Sequence, residues 1–296
     1  MSTRTIAREP VCPVRGARPD PPEARDPSSP AVLIVAFGTS TRASLTFSFL
    51  DRELCRRLPA HEIRWAYASD RIRKQLNAAG SPETRLRSVP EALAELQADG
   101  FTRVVVQPLY VVPGEMYDRL LATVAGFPGL RTEVGGTLLH RWDSVHRLIG
   151  ALAQDFLPPE EGCNVLVAHG TPSTASGANA VYLGLERTLA RRHPNTYLGM
   201  VEGLVPPDDT LTAALTHAGD RVRFIPLMVV AGDHVMNDVM GENGEKSWRS
   251  ELEAAGKRVE VPTVRLGDAE LYRGLGFVPE AVAVFVDEIR RAMARL

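Results

Sequence analysis

Three residues of types that bind divalent metals stand at the ends of apolar, strand-like segments in the second half of the chain. His169 follows NVLVA, Glu202 follows YLGMV, and His234 comes shortly after a run that ends in VVA. Because the carboxyl ends of parallel strands share one edge of a sheet, and ligands bind in the crevice beyond that edge, these side chains can converge. Two imidazoles and one carboxylate, with other positions open, suit a first-row divalent metal such as cobalt, nickel or iron. The spacing therefore predicts one metal-facing catalytic site.

Each of these residues also has an ordinary structural interpretation. His169 could be a turn histidine bonded to the backbone, and Glu202 taken alone is typical of a solvated carboxylate at a strand end. His234 has the weakest such alternative, because turn and capping residues surround it. Asp233 could cap the helix that follows, and either Asp233 or Asp238 could orient an imidazole. The sequence does not separate these two roles.

The chain contains an internal duplication. Residues 103–118 repeat the pattern of residues 222–238, with matching Pro-Leu pairs and matching glycines, and Met116 falls where His234 falls. A second pair of segments, VLIVAFGTS and NVLVAHGTPS, opens the two halves in the same order. Two matching pairs in one order predict two similar halves, of which only the second carries the imidazoles.

Hydrophobic periodicity predicts strands that alternate with helices after residue 30. The predicted strands are 31–37, 62–66, 103–112, 132–137, 164–168, 197–202, 222–230 and 259–264. The alternation implies parallel sheets with right-handed crossovers. We expect an α/β protein with two similar Rossmann-like lobes, each a roughly four-stranded parallel sheet flanked by helices, and a cleft between them.

The chain divides into three parts at the level of sequence. Residues 1–30 mix proline with charged residues and serine, a composition that buries too little apolar surface to offset chain entropy, and they are expected to form a disordered arm. This arm lacks the apolar core of a secretory signal. Residues 31–160 are expected to form the N-terminal lobe. Residues 161–296 are expected to form the C-terminal lobe, which carries the metal-facing residues.

Composition narrows the classes of function. The 296 residues are 44% hydrophobic and 24% charged, as in soluble globular proteins, and no apolar run reaches the roughly 20 residues that span a bilayer. The net charge of -2 gives no global basic field for nucleic acid or an anionic membrane. The three cysteines are far apart, which argues against disulfides and a structural zinc site. We expect a cytoplasmic protein without nucleic-acid or membrane partners.

The turn Gly38-Thr39-Ser40 joins the first predicted strand to a helix. Backbone N–H groups at a helix N-terminus could hold a phosphate or carboxylate there. A plain tight turn explains the same three residues equally well.

With these motifs in place, the chain resembles the anaerobic sirohydrochlorin cobaltochelatase family, the class II chelatases of cobalamin biosynthesis, which share a ferrochelatase-like fold. The matching segments are AFGTS at 36–40, QPLYVVPGEMY at 107–117, AHG at 168–170, VEG at 201–203, PLMVVAGDHVMND at 226–238 and SW at 247–248. The resemblance covers the chain from about residue 32 to the last helix. By motif, the metal-facing residues of the family fall on His169, Glu202 and His234.

The resemblance implies insertion of Co²⁺ into sirohydrochlorin, or into its reduced form precorrin-2, without ATP. A divalent metal and a tetrapyrrole would be the substrates, and no Walker A motif suggests a nucleotide cofactor. Arginines such as Arg42 would serve as donors to the acidic side chains of the macrocycle. The residues expected to face the tetrapyrrole are Gly38, Thr39, Ser40, Tyr110, Gly114 and Met116.

The chain departs from the family pattern at Met116, where such enzymes often carry an acidic residue directly before the tyrosine. Glu115 is adjacent, but neighbouring loop residues usually point in different directions. A histidine or Glu202 is then expected to accept the two pyrrole protons. Iron or nickel insertion, or a two-lobed protein that carries metal or tetrapyrrole without turnover, are the alternatives. The oligomeric state stays open, with a homo-oligomer as one alternative.

Overall fold

The computed structural model of the protein describes residues 27–81 and 84–296. The arm expected at residues 1–30 therefore lies, up to residue 26, outside the described residues. The strands are β1 Ala31–Ala36, β2 Ile63–Tyr67, β3 Arg103–Pro108, β4 Arg131–Val134, β5 Gly162–Gly170, β6 Thr196–Glu202, β7 Arg221–Pro226, β8 Arg258–Glu260, β9 Thr263–Leu266 and β10 Ala269–Tyr272. The helices are α1 Leu45–Arg57, α2 Asp70–Ala79, α3 Val89–Ala98, α4 Glu115–Ala125, α5 Trp142–Leu152, α6 Ala178–Arg192, α7 Pro207–Thr216, α8 Trp248–Ala254 and α9 Pro279–Met293.

Two four-stranded parallel sheets form the framework, and their strand orders correspond. The first sheet has the order β2-β1-β3-β4 and the second has the order β6-β5-β7-β8. Every residue of β1 is buried, as expected for a central strand covered by helices on both faces. The predicted fold class is confirmed, and the equal strand orders are the structural form of the duplication.

Two predicted strands end earlier than their apolar runs. The strands β3 and β7 stop at Pro108 and Pro226, whereas the sequence predicted strands to residues 112 and 230. Proline has no N–H to continue a ladder, so the apolar residues beyond it leave the sheet as loops. Each half thus sends a long apolar loop from the carboxyl edge of its sheet toward the other half.

The predicted strand at 259–264 is two separate strands. Pro262 lies between β8, which pairs with β7, and β9, which pairs antiparallel with β10. The missing N–H of the proline again explains the break. The helix α2 was not predicted, because none of its residues is fully buried and its apolar side is narrow, with Ile72 and Leu76 among mostly polar residues.

The last helix joins the two halves. Although α9 follows the second sheet in the chain, it contacts β3, β4, α1 and α5 of the first half. The buried carboxylate of Glu288 accepts a hydrogen bond from the N–H of Gly136 at 3.1 Å, and Asp287 pairs with Arg147 at 3.0 Å. We propose that the two lobes comprise residues 31–160 and 161–296. In this division α9 belongs to the second lobe and packs against the first.

One continuous apolar core contains side chains from both sheets. It includes Ile34 of β1, Leu166 of β5 and Phe285 of α9, each almost fully buried. Two smaller cores cover the outer faces of the sheets. No helix among residues 27–81 and 84–296 is long and apolar enough to cross a bilayer.

Candidate metal-facing site

Strand pairing brings His169 and Glu202 together. The strands β5 and β6 are parallel neighbours, and Gly170 lies opposite Glu202 in their register. Gly170 has a positive φ of +82°, and a Cβ at this position would lie 1.7 Å from the carbonyl oxygen of Glu202. Only glycine therefore permits the two strand ends to approach this closely. The glycine at the end of β5, directly after His169, follows from this geometry.

His234 reaches the same region by a different route. After β7 the chain forms an apolar loop, and His234 precedes a single π-helical turn, Val235–Val239. The N–H of Met240 donates to the carbonyl of Val235, five residues back, at 3.0 Å. Such turns are rare and occur frequently at functional sites. This wide turn leaves His234 and Asp238, four residues apart, on the same side, where their side chains meet.

The two imidazoles are in contact. The ring centroids of His169 and His234 lie 4.7 Å apart with their planes at 87°. The Nδ1 atom of His169 lies 3.6 Å from Oε1 of Glu202. The exposed fractions of the side chains are 50% for His169, 45% for Glu202 and 42% for His234, so all three are open to a ligand.

Hydrogen bonds orient both rings in the same way. The Nδ1–H of His234 donates to Oδ2 of Asp238 at 2.6 Å, and the Nδ1–H of His169 donates to the carbonyl of Gly170 at 3.2 Å. Since carboxylates and carbonyls only accept, each neutral ring keeps the lone pair of Nε2 for another partner. Metal-binding histidines are commonly held by such bonds.

The structure separates the two aspartates that the sequence left undecided. Asp238 holds the imidazole of His234, as described above. Asp233 instead accepts a hydrogen bond from the Nδ2 of Asn237 at 2.8 Å. The orienting role therefore belongs to Asp238.

Glu202 stands on the Nδ1 side of His169, away from the nitrogen that is free to bind. Within residues 27–81 and 84–296, no three His, Cys, Asp or Glu side chains are grouped closely enough to hold an ion as they stand. The structure thus brings together the two histidines and places Glu202 beside one of them. That all three bind one metal stays a prediction.

The turn at residues 38–40 faces the loop that carries His234. Gly38 has a φ of +106°, which favours glycine. The hydroxyls of Thr39 and Thr41 lie 3.0 Å apart, and a Cβ at Gly232 would lie 3.0 Å from the hydroxyl of Thr39. The turn therefore contacts the chain at Gly232, which precedes His234 by two residues in the sequence. Ser40, the last residue of the turn, is exposed. Binding of an anion by these groups stays a prediction.

The three residues expected to face the tetrapyrrole from the loop after β3 have different environments. Tyr110 packs against the outer core of the first lobe, and burial raises the pKa of its phenol. Gly114 contacts the second lobe, since a Cβ there would lie 3.2 Å from the hydroxyl of Ser176. Met116 is half-buried in the first turn of α4. Contact of these residues with a macrocycle stays a prediction.

Two contacts between the lobes were not predicted. Arg42, expected to be a donor to the substrate, instead pairs with Glu242, and this carboxylate lies 200 residues away in sequence. Glu115 accepts a hydrogen bond from Ser176 at 3.1 Å. No local pattern signals pairs so distant in sequence.

A cavity of about 610 Å³ also opens between residues of the two halves. It is lined by Leu139, His140, Arg141, Trp142, Asp143, Val145, Ala180 and Val181. The indole of Trp142 is 57% exposed. The wall of this cavity is largely apolar, and its polar side chains are His140, Arg141 and Asp143, of which the last two lie 3.4 Å apart.

Comparison with known proteins identifies the family. Residues 30–294 match the model of the family described as Cobalt chelatase (CbiK). The chain belongs to this family. Two curated relatives are the sirohydrochlorin cobaltochelatase CbiKC of Nitratidesulfovibrio vulgaris and the sirohydrochlorin cobaltochelatase of Salmonella typhimurium. The first is 31% identical over 276 residues, which are 90% of this chain and 91% of the relative; the second is 28% identical over 269 residues, which are 89% and 96%.

Solved structures share the fold of this cobalt chelatase family member. SirB from Bacillus subtilis, solved with Fe³⁺, has a TM-score of 0.61 at 12% identity, over 90% of this chain and 96% of SirB. CbiX, the terminal enzyme of sirohaem biosynthesis in denitrifying bacteria, has a TM-score of 0.54 at 17% identity, over 88% of this chain and 99% of CbiX. At these identities the likeness shows the two-lobed fold alone.

Proposed function

We propose that this chain is a lyase that inserts Co²⁺ into sirohydrochlorin between its two lobes, without a nucleotide. The observation that carries the proposal is the contact between His169 and His234, with ring centroids 4.7 Å apart at the carboxyl edge of the second sheet. This pair lies in a chain that belongs to a cobalt chelatase family. Precorrin-2 is the alternative macrocycle, and the reaction belongs to the anaerobic route to cobalamin.

The histidine pair is suited to a metal that is a substrate and must leave again. Neutral imidazoles are ligands of intermediate softness, which Co²⁺ accepts readily. The hydrogen bonds to Gly170 and Asp238 keep Nδ1 occupied, so His169 and His234 present Nε2 to the metal. Two ligands on one face leave the other positions of the metal open to the pyrrole nitrogens.

Insertion also requires that two pyrrole N–H protons leave the macrocycle. Met116 has no group that could accept a proton from the side of the first lobe. Glu202 lies beside His169 with its side chain 45% exposed, so a proton can pass from it to water. We assign Glu202 as the proton acceptor, a role that a positioned carboxylate performs in general base catalysis.

The expected surroundings follow from the composition. The net charge of -2 and the widely spaced cysteines support a cytoplasmic enzyme whose partners are a divalent metal and a tetrapyrrole rather than nucleic acid.

The decisive experiment is anaerobic turnover with sirohydrochlorin in excess over protein. We expect Co²⁺ to convert the whole excess, followed by absorbance, in the absence of ATP. His234→Ala should abolish insertion. His217→Ala should retain it, because His217 lies just before the amino end of β7, at the opposite edge of the sheet. A stoichiometric shift of the bands without turnover would instead identify a carrier, and full activity of His234→Ala would reject the site.

A competition among metals tests the specificity for cobalt. The ligand set scarcely distinguishes Co²⁺ from Fe²⁺ and Ni²⁺. The expected preference for cobalt rests instead on the family to which the chain belongs, and product formation from equal concentrations of the three metals under anaerobic conditions should favour cobalt. Preferred insertion of iron or nickel would replace the proposed metal and leave the proposed reaction in place.

A further inference from the structure

The loop that follows His169 rests on the first lobe. Residues 171–177 connect β5 to α6, and their contact surface is the end of the loop after β3. A Cβ at Gly114 would lie 3.2 Å from the hydroxyl of Ser176, and one at Gly177 would lie 3.6 Å from the carbonyl of Pro113. The two loops therefore meet across the boundary between the lobes.

A single carboxylate bridges this contact. Ser176, which is buried, donates its hydroxyl to Oε2 of Glu115 at 3.1 Å. The pKa of the Glu115 carboxyl lies below its usual range, chiefly because its own backbone N–H bonds to it. Burial opposes this effect, and the hydroxyls of Ser176, Ser173 and Thr171 add to it. Hydroxyl groups of one loop thus favour the ionised form of Glu115, and that of Ser176 donates a hydrogen bond to its Oε2.

The bridged loop begins two residues after His169, and the chain between them is constrained. Gly170 is held in the register of β5 and β6, opposite Glu202. A displacement of residues 171–177 would therefore be transmitted to the strand end that carries the imidazole. Hydrogen bonds to an ionised carboxylate are stronger than neutral ones, so this bridge is suited to keep the loop in place.

We propose that Glu115 is a positioning residue that holds the loop after His169 against the first lobe and so fixes His169 at the cleft. This inference rests on the proposed function. It also gives Glu115 a task different from that expected of an acid at position 116: its carboxylate faces hydroxyls of the second lobe, not the substrate.

The role predicts a particular pattern in the kinetics. Loosening His169 should lower kcat for cobalt insertion, because the metal-facing imidazole is out of place. The KM for sirohydrochlorin should change little, since the carboxylate of Glu115 is directed at Ser176 of the second lobe. A loss of general stability would instead lower the amount of active protein and leave both constants of the remainder unchanged.

The test compares Glu115→Ala and Glu115→Gln with Asp118→Asn as the matched control. Asp118 is exposed and lies in the same first turn of α4, so its substitution reproduces the change in charge at the helix start without touching the second lobe. Hydrogen exchange by mass spectrometry reports on residues 171–177 directly. Anaerobic kinetics with Co²⁺ and sirohydrochlorin give kcat and KM.

We expect exchange in residues 171–177 to be about tenfold faster in Glu115→Ala, with kcat lowered by about the same factor. Glu115→Gln, which still accepts from Ser176, should lie between Glu115→Ala and the wild type, and Asp118→Asn should match the wild type. Glu115→Ala with wild-type exchange and wild-type kcat would overturn the proposal. If the wild type inserts no cobalt, the proposed function fails, and exchange alone still decides whether Glu115 holds the loop.

Discussion

Arg42 and Glu242 form a two-point ion pair between the lobes, with Nη1 to Oε2 at 2.7 Å and Nη2 to Oε1 at 2.6 Å. The backbone N–H of Glu242 donates to the carbonyl of Met236 at 2.8 Å, within the turn that follows His234. The turn of His234 is therefore connected to the first lobe through Arg42, just as the loop of His169 is connected to it through Glu115.

Removing this ion pair should have a small effect on stability. The exposed fractions of the side chains are 43% for Arg42 and 28% for Glu242, and pairs this open to solvent contribute at most about 1 kcal/mol. A double-mutant cycle of Arg42→Gln and Glu242→Gln, measured by urea unfolding, should give a coupling of that size. The coupling should shrink in 1 M salt; a coupling several times larger would contradict the solvent-exposed geometry.

The same pair predicts a dependence on pH. The hydrogen bond from Arg42 lowers the pKa of the Glu242 carboxyl, an effect that burial opposes. A carboxyl whose pKa is lowered by folding stabilises the protein fully above its unfolded pKa of about 4.3, and this contribution is lost as pH falls through the lower, folded value. The difference in unfolding free energy between wild type and Glu242→Gln should be constant near neutral pH and should decrease in acid.

Asp238 should matter for the reaction without mattering for the fold. Asp238→Asn weakens the hydrogen bond that fixes the Nδ1–H form of His234, and such changes next to a metal-binding histidine typically cost about 10- to 100-fold. We expect a loss of kcat in this range with an unchanged unfolding midpoint. Asp233→Asn, whose carboxylate bonds Asn237, is the control and should retain activity. Equal losses in the two variants would show that Asp238 has no special role.

Glu288 should be important for stability. The residue is only 5% exposed, and its carboxylate accepts from the N–H of Gly136 and pairs with Arg291. Glu288→Ala leaves that buried N–H without its partner and should lower the free energy of unfolding by about 2 kcal/mol. The neighbouring Asp287→Ala breaks only a surface pair with Arg147 and should cost less than about 1 kcal/mol. Urea unfolding distinguishes the two, and equal costs would count against this role of α9.

Gly170→Ala should disturb both the fold and the site. The substitution combines a positive φ with a Cβ that would lie 1.7 Å from the carbonyl oxygen of Glu202. Gly244 has a similar φ of +80° and no atom within 4 Å, so Gly244→Ala measures the conformational cost alone, about 1 to 2 kcal/mol. Gly170→Ala should cost more than this and should also lower cobalt insertion. A cost equal to that of Gly244→Ala would mean that β5 and β6 can separate without penalty.

Much of the framework could be predicted from sequence because its signals are local. The apolar run that became β1 is continuous, as a buried parallel strand requires, and apolar residues also dominate the segments that became β5 and β7. Ser88 and Glu91 have the spacing of a capping box, and both hydrogen bonds of that box are present at the start of α3. The helix α2 was missed, since none of its residues is fully buried and Leu76 only packs against the edge of the core.

The candidate site was predictable only in part. The sequence alone determined that His169, Glu202 and His234 stand at strand ends or just beyond them, because periodicity marks where strands stop and parallel strands share an edge. The sequence also revealed the duplication, because the same residue pattern occurs in both halves of the chain. These features need no knowledge of how the two halves meet.

Only the tertiary structure decided how the halves meet and which groups are left for chemistry. In the folded chain Arg42 pairs with Glu242, and Ser176 donates a hydrogen bond to Glu115. Asp238, rather than Asp233, is the partner of His234. The last helix, α9, also packs against the first lobe, although it follows the second sheet in the chain. Contacts between residues tens to hundreds of positions apart depend on the packing of whole sheets and helices against one another, and no window of sequence contains that information.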